Sequence, residues 1–132
     1  LPHWKIFVHW ATWCEGCIEE LPILEDLIQV LDELPQKKDI DIYGISWDNF
    51  MFHNIKQAKE EVENFYNNQM IPFPTGILSD TDEEFFSFFS LSQKKIPQVW
   101  LIDHKGTRKI FPEGIGLEEI VDIQNDIQKS AL

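Results

Sequence analysis

Two cysteines, the only two in 132 residues, stand at positions 14 and 17 behind the run Trp10-Ala11-Thr12-Trp13. The two residues between them let the sulfurs close a small ring and reopen it without moving the rest of the chain. In isolation such a pair supports three chemistries: a structural staple, half a metal site, or a thiol–disulfide reaction centre. A cysteine in the first turn of a helix meets free backbone N–H groups and the positive end of the helix dipole, and both favour the thiolate. On that reading Cys14 is the attacking sulfur, exposed at the tip of a strand-to-helix junction. Cys17, one turn inside the helix, is the resolving sulfur that releases the mixed disulfide. Gly16 permits a tight turn. Glu15 puts a negative charge beside Cys14 and opposes thiolate formation; a less stable thiolate leaves less readily, which tilts the pair toward reducing work.

The other two chemistries have less behind them. A structural zinc site takes four ligands, and there is no second Cys-x-x-Cys; His3, His9, His53 and His104 are scattered, with no two at ligand spacing to each other. No metal and no cofactor beyond the cysteine pair itself is therefore expected. A plain structural disulfide stays open at this point. It is not needed for stability, because a chain with 43% hydrophobic and 13% aromatic residues can build a core without cross-links.

The elements that must position the pair follow from hydrophobic spacing. Residues 5–10 are short, β-branched and aromatic, as a buried strand requires. From Cys17 onward Ile18, Leu21, Leu24, Leu27, Ile28, Leu31 and Leu34 share one helical face, closed by Pro35, with Pro22 expected to kink the first turns. A second strand is expected over 39–46, a polar helix over 53–67 and a short extended piece over 75–78. Asp80 to Glu84 supply a helix start before Phe85, Phe86, Phe88, Phe89 and Leu91. Those four phenylalanines exceed one helix face, so some are expected at the surface. A strand over 98–102, a turn at 103–106 and a returning strand over 107–111 form a hairpin, and a helix over 117–128 ends the pattern. Strands alternating with helices indicate an α/β fold around a central mixed sheet, within one domain over 1–132.

The charge of −12, from 11 basic and 23 acidic residues, argues against nucleic acid, whose phosphates need Lys and Arg, and against an anionic lipid surface. No stretch approaches the ~20 apolar residues of a membrane-spanning helix. Residues 1–5 lack the charged start and apolar run of an export signal and lead straight into strand-like sequence. The expectation is a chain trimmed at its front, so the absence of a signal or anchor says little about compartment.

The run Trp10-Ala-Thr-Trp-Cys-Glu-Gly-Cys-Ile-Glu-Glu-Leu-Pro22 resembles the active-site segment of thioredoxin-fold proteins, and more narrowly that of the TlpA/ResA/DsbE-type thiol–disulfide oxidoreductases. A second landmark, Lys95-Ile-Pro-Gln-Val-Trp-Leu-Ile-Asp-His-Lys-Gly106, resembles that group's cis-proline segment and following strand. The resemblance covers nearly the whole chain and implies a thioredoxin-like sheet flanked by helices on both faces. It implies that Pro97 is a cis-proline facing the disulfide, that Ile96 pairs with an extended substrate, and that Trp13 shields Cys14. It also implies that Glu20 influences the proton traffic of the cysteines. The implied activity is reduction of disulfides in exported proteins such as apocytochrome c, in an extracytoplasmic compartment, by a monomer with a membrane anchor in the full-length protein, recharged by a membrane-bound electron donor of the thiol–disulfide type. The chain departs from the pattern at His9 (usually Phe) and at Gln98 (commonly Thr). Gln93-Lys94-Lys95 brings positive charge to the active face, and the group's extra N-terminal strands are not evident. A disulfide oxidant or isomerase of the same fold, a copper-handling module and a non-catalytic binding module stay open as alternatives.

Overall fold

The computed structural model describes residues 3–78 and 95–129. The Phe85–Phe89 cluster, Gln93 and Lys94 lie outside the described residues. In chain order the elements are β1 (Trp4–Trp10), α1 (Glu15–Asp32), a 3-10 turn (Lys37–Asp39), β2 (Ile40–Ser46), α2 (Asp48–Phe52), α3 (Ile55–Asn68), β3 (Thr75–Ile77), β4 (Gln98–Ile102), β5 (Arg108–Phe111) and a last helix, α4 (Leu117–Lys129). Among the described residues the strands form one mixed sheet in the order β3-β2-β1-β4-β5. β1 runs parallel to β2 and antiparallel to β4, β3 is parallel to β2, and β5 is antiparallel to β4.

β1 and β4 sit at the centre, which explains their composition. Ile6, Val8 and Trp10 fill one face and His9 the other, with all four buried; in β4, Gln98, Val99, Trp100 and Leu101 are buried without a break. A strand covered on both faces must be apolar on both, so its sequence reads as a run and not as an alternation. Val8 pairs with Val99, and His9 with Gln98.

α1 buries Cys17, Leu21, Leu24, Leu27 and Leu31, one turn apart in the expected stripe, and α4 packs beside it with Ile120, Ile123 and Ile127 buried. α1 begins at Glu15, two residues earlier than the hydrophobic stripe indicates, because Cys14 acts as its N-cap. Helical geometry continues through Pro22, whose exposed position leaves the missing backbone bond on the solvent side. The helix stops at Asp32, ahead of Pro35. α2 is an extra helix that hydrophobic spacing does not indicate; it ends at His53, in the left-handed region at φ 51°. α3 then starts from Asn54, whose side chain accepts the N–H of Gln57 at 3.1 Å.

Two contacts lock α3 and β3 to the end of β1. The Trp10 ring lies 5.5 Å from Phe65 and its Nε1 donates to Thr75 Oγ1 at 2.9 Å, while the Tyr66 hydroxyl donates to the Phe73 carbonyl. Gly44 of β2 makes this approach possible: a Cβ there would lie 2.4 Å from Thr75 Oγ1 and 2.6 Å from Phe73 Cε2. Gly44→Ala should therefore overpack this corner and cost about 1–3 kcal/mol. Urea unfolding will show it as a lower midpoint with an unchanged slope.

Candidate functional site

The parallel strands β1 and β2 end side by side, with Trp10 opposite Ser46. In open α/β sheets the carboxyl ends of parallel strands are where the chain leaves the sheet and side chains converge. Here β1 leads to the cysteines and β2 to a buried acid. Asp48, fully buried, accepts from the Ser46 hydroxyl at 2.6 Å and from the backbone N–H of Thr12 at 3.1 Å, and its second oxygen accepts from the Thr12 hydroxyl. The Asp48 N–H in turn donates to Ser46 Oγ at 3.1 Å. Three donors on one carboxylate hold the turn that begins two residues before Cys14. Sequence reasoning missed this trio, since it depends on which strands are neighbours. The Ser-x-Asp at a strand end opening a helix is the local signal that could have raised it.

Cys14 has extended backbone (φ −94°, ψ 102°), as an N-cap requires, and its N–H donates to Ala11 O at 3.1 Å. Its sulfur accepts the N–H of Cys17 at 3.2 Å and is joined to the Cys17 sulfur in a disulfide, with the Cα atoms 5.3 Å apart. The expectation of an exposed Cys14 needs correction: it is 8% exposed against 3% for Cys17. Capping the helix and bonding to Cys17 turns the sulfur inward. Trp13, by contrast, is 39% exposed, and Glu15 and Gly16 are exposed on the first turn.

Across from the cysteines the Ile96–Pro97 peptide bond is cis, and a Cβ on Gly16 would sit 3.6 Å from Pro97 Cδ. The segment ahead of Pro97 is held by Gln98, which is buried. Its Nε2 donates to Lys95 O at 2.7 Å and its Oε1 accepts from Trp100 Nε1 at 3.1 Å. The amide thus fastens the backbone that presents Ile96, a concrete consequence of having Gln at that position. Lys95 itself forms an exposed pair with Glu113 at 3.4 Å. His9, the register partner of Gln98, is buried with its Nδ1 accepting from Trp47 Nε1 at 3.0 Å and its ring 4.3 Å from that of Trp100. Burial lowers its pKa to about 3, so the ring is neutral and packs as an aromatic.

Glu20 comes one turn after Cys17 and is 7% exposed. One carboxyl oxygen accepts the N–H of Ile115 at 2.7 Å; the other is buried without a hydrogen-bond partner among the described residues. Desolvation raises its pKa to about 7, opposed by the bond from Ile115. The space for this carboxyl is made by Gly114, which has φ +84°. A Cβ there would fall 1.9 Å from Glu20 Oε2 and 3.3 Å from Pro97 Cγ. Gly114 thus stands between the buried acid and the cis-proline, a role that sequence reasoning did not find. Among the described residues no group of three or more His, Cys, Asp or Glu side chains is placed to hold a metal ion, and no helix is long and apolar enough to cross a membrane.

Comparison with known proteins places this geometry among relatives. Residues 2–109 match the model of the AhpC/TSA family. The chain is 26% identical over 112 residues to the thiol-disulfide oxidoreductase ResA of Geobacillus thermodenitrificans, covering 84% of this chain and 55% of that protein. It therefore spans about half the length of the curated relatives it matches. In fold it is similar to a thioredoxin-related protein from Neisseria meningitidis serogroup B (TM-score 0.72, 19% identity, 96% of this chain and 85% of that one). It is also similar to StoA from Bacillus subtilis (TM-score 0.67, 20% identity, 92% and 81%). The architecture is thus thioredoxin-like, as the two sequence landmarks imply.

The raised pKa of Glu20 has a stability consequence. Between its ordinary value near 4.5 and about 7, the folded protein holds a proton that the unfolded chain has lost. The resulting stabilisation is complete below the ordinary value and is lost as pH rises through about 7. Glu20→Gln keeps an acceptor for Ile115 and removes the titration. Its unfolding free energy should lack this fall, leaving it more stable than wild type at pH 8 by on the order of 3 kcal/mol, as urea titrations at pH 5 and pH 8 will show.

Proposed function

The chain belongs to the AhpC/TSA family, and from that membership we propose that it is a thiol–disulfide oxidoreductase that reduces disulfides in other proteins through Cys14 and Cys17. The observation that carries the reading is the cysteine pair closing the N-terminus of α1 beside the cis bond at Pro97. The relation to a protein named thiol-disulfide oxidoreductase supports it.

In the reduced form the Cys14 thiolate, favoured by the N–H groups of the first turn, attacks one sulfur of a client disulfide. The client's S–S bond breaks, its other sulfur leaves as a thiolate and takes a proton, and a mixed disulfide joins Cys14 to the client. Cys17 gives its proton to the Glu20 carboxylate and attacks the Cys14 sulfur. The second client thiolate leaves and takes the proton held by Glu20, and the Cys14–Cys17 disulfide closes. Two electrons and two protons have then passed to the client. A carboxyl titrating near 7 suits this proton transfer, because neither of its states is strongly disfavoured at neutral pH. Ile96, on the backbone fastened by Gln98, pairs with the client strand, and Trp13 flanks the attacking sulfur. The exposed negative charge of Glu15 works against a stable Cys14 thiolate and favours the reducing direction, while Gly16 leaves room beside Pro97.

On this reading a membrane-bound donor of the thiol–disulfide type restores the dithiol, and the clients are exported proteins, apocytochrome c among them. The site is accordingly extracytoplasmic, in a protein that acts as a monomer and needs no metal. Cys14→Ser should abolish insulin reduction. Cys17→Ser should accumulate client-linked species that run as adducts on non-reducing gels and collapse on adding dithiothreitol. Wild-type protein that fails to reduce insulin or a small disulfide would contradict the proposal.

A further inference from the structure

Beside Trp13 lies a cleft of about 440 Å³ between the cysteine loop and α3, with Pro97 outside its lining. Thr12 and Trp13 form one wall. The opposite wall is the stripe Glu61, Asn64, Phe65 and Asn68, at the i, i+3, i+4, i+7 spacing of a single helix face. It borders the face that α3 buries, which carries Ala58 and Val62, and Phe65 belongs to both, since its ring also packs on Trp10. A helix face packed for stability carries apolar side chains; this one carries two amides and a carboxylate around the single ring of Phe65. Glu61 is half-buried at the cleft and has no ion-pair partner among the described residues.

We propose that this cleft is the second client subsite, taking an extended polypeptide segment with a Lys or Arg side chain two positions from its cysteine; the inference rests on the exchange reading above. Side-chain amides offer both donors and acceptors, the set that an extended backbone presents along its length. Trp13 on one wall and Phe65 on the other give the cleft its apolar contacts. Among the described residues that line the cleft Glu61 supplies the one charge, and it selects a cation. The position fits a chain crossing the disulfide. Gly16, after Cys14 in the chain, faces Pro97, while Thr12 and Trp13, before it, line the cleft. One flank of the client is then held by Ile96 and the other by α3.

The test uses pre-reduced protein in single turnover on seven-residue peptides, each with one cysteine as a mixed disulfide with 2-mercaptoethanol. Arg, Gln or Glu stands two positions from the cysteine. The Arg peptide should react about fivefold faster than the Glu peptide, and the ratio should shrink toward one in 1 M salt. Glu61→Lys should invert the order. Glu33→Lys, the same charge change at the far end of α1, should leave the ratio as in wild type. The double variant Asn64→Ala/Asn68→Ala should slow the Gln peptide about threefold relative to bis(2-hydroxyethyl) disulfide. An Arg-to-Glu ratio that ignores Glu61→Lys, or that shifts equally with Glu33→Lys, overturns the inference while leaving the exchange reading intact. Failure to reduce bis(2-hydroxyethyl) disulfide at all overturns the exchange reading, and this inference with it.

Discussion

A sulfur atom that caps a helix while bonded to another sulfur one turn further on determines where α1 can begin. Cys14 must leave β1 with extended backbone, accept the N–H of Cys17, and still present its sulfur to the Cys17 side chain. Those demands leave little freedom at the junction, so the loop before it is held from outside. The Asp48 carboxylate holds Thr12, and Ser46 holds Asp48. A buried carboxylate with three donors is stable only if all three stay in place, which couples the position of the cysteine loop to the end of β2.

The opposite wall obeys the same rule. Gln98 fastens the Lys95 carbonyl ahead of the cis bond, Trp100 completes that amide, and Gly114 leaves the volume into which the Glu20 carboxyl reaches. Glu20 is the one member of this wall whose charge is not fixed by its partners, since burial and a single N–H donor balance its two states near neutrality. A rigid frame around one titratable group is the arrangement expected where proton movement accompanies bond exchange.

Much of the frame is legible in the sequence because it is written in spacing. The stripe from Leu21 to Leu31, the β4–β5 hairpin around Asp103–Gly106 and the α4 pattern of Ile120, Ile123 and Ile127 follow from periodicity and turn chemistry alone. The start of α1 is displaced because a cysteine, not a usual capping residue, serves as N-cap. α2 escapes because a five-residue helix has no period to display. The cysteines and Pro97 stand out as motifs. Asp48, Ser46, Gly114 and the tether from Gln98 do not, because each acts across strands or between a helix and a turn far away in sequence. Cys14 illustrates the same limit: its type and position are legible, and its burial is a property of the folded junction.

The central claim is that Cys14 and Cys17 form a reducing centre, tuned by Glu15 at the helix start and Glu20 beneath. The reduction potential of the pair, measured by equilibration against glutathione or dithiothreitol buffers at pH 7, tests it most directly. A value near that of thioredoxin, about −270 mV, is predicted. A value near about −120 mV, that of a strong disulfide donor, would contradict the account and reverse the direction of electron flow assigned to this site.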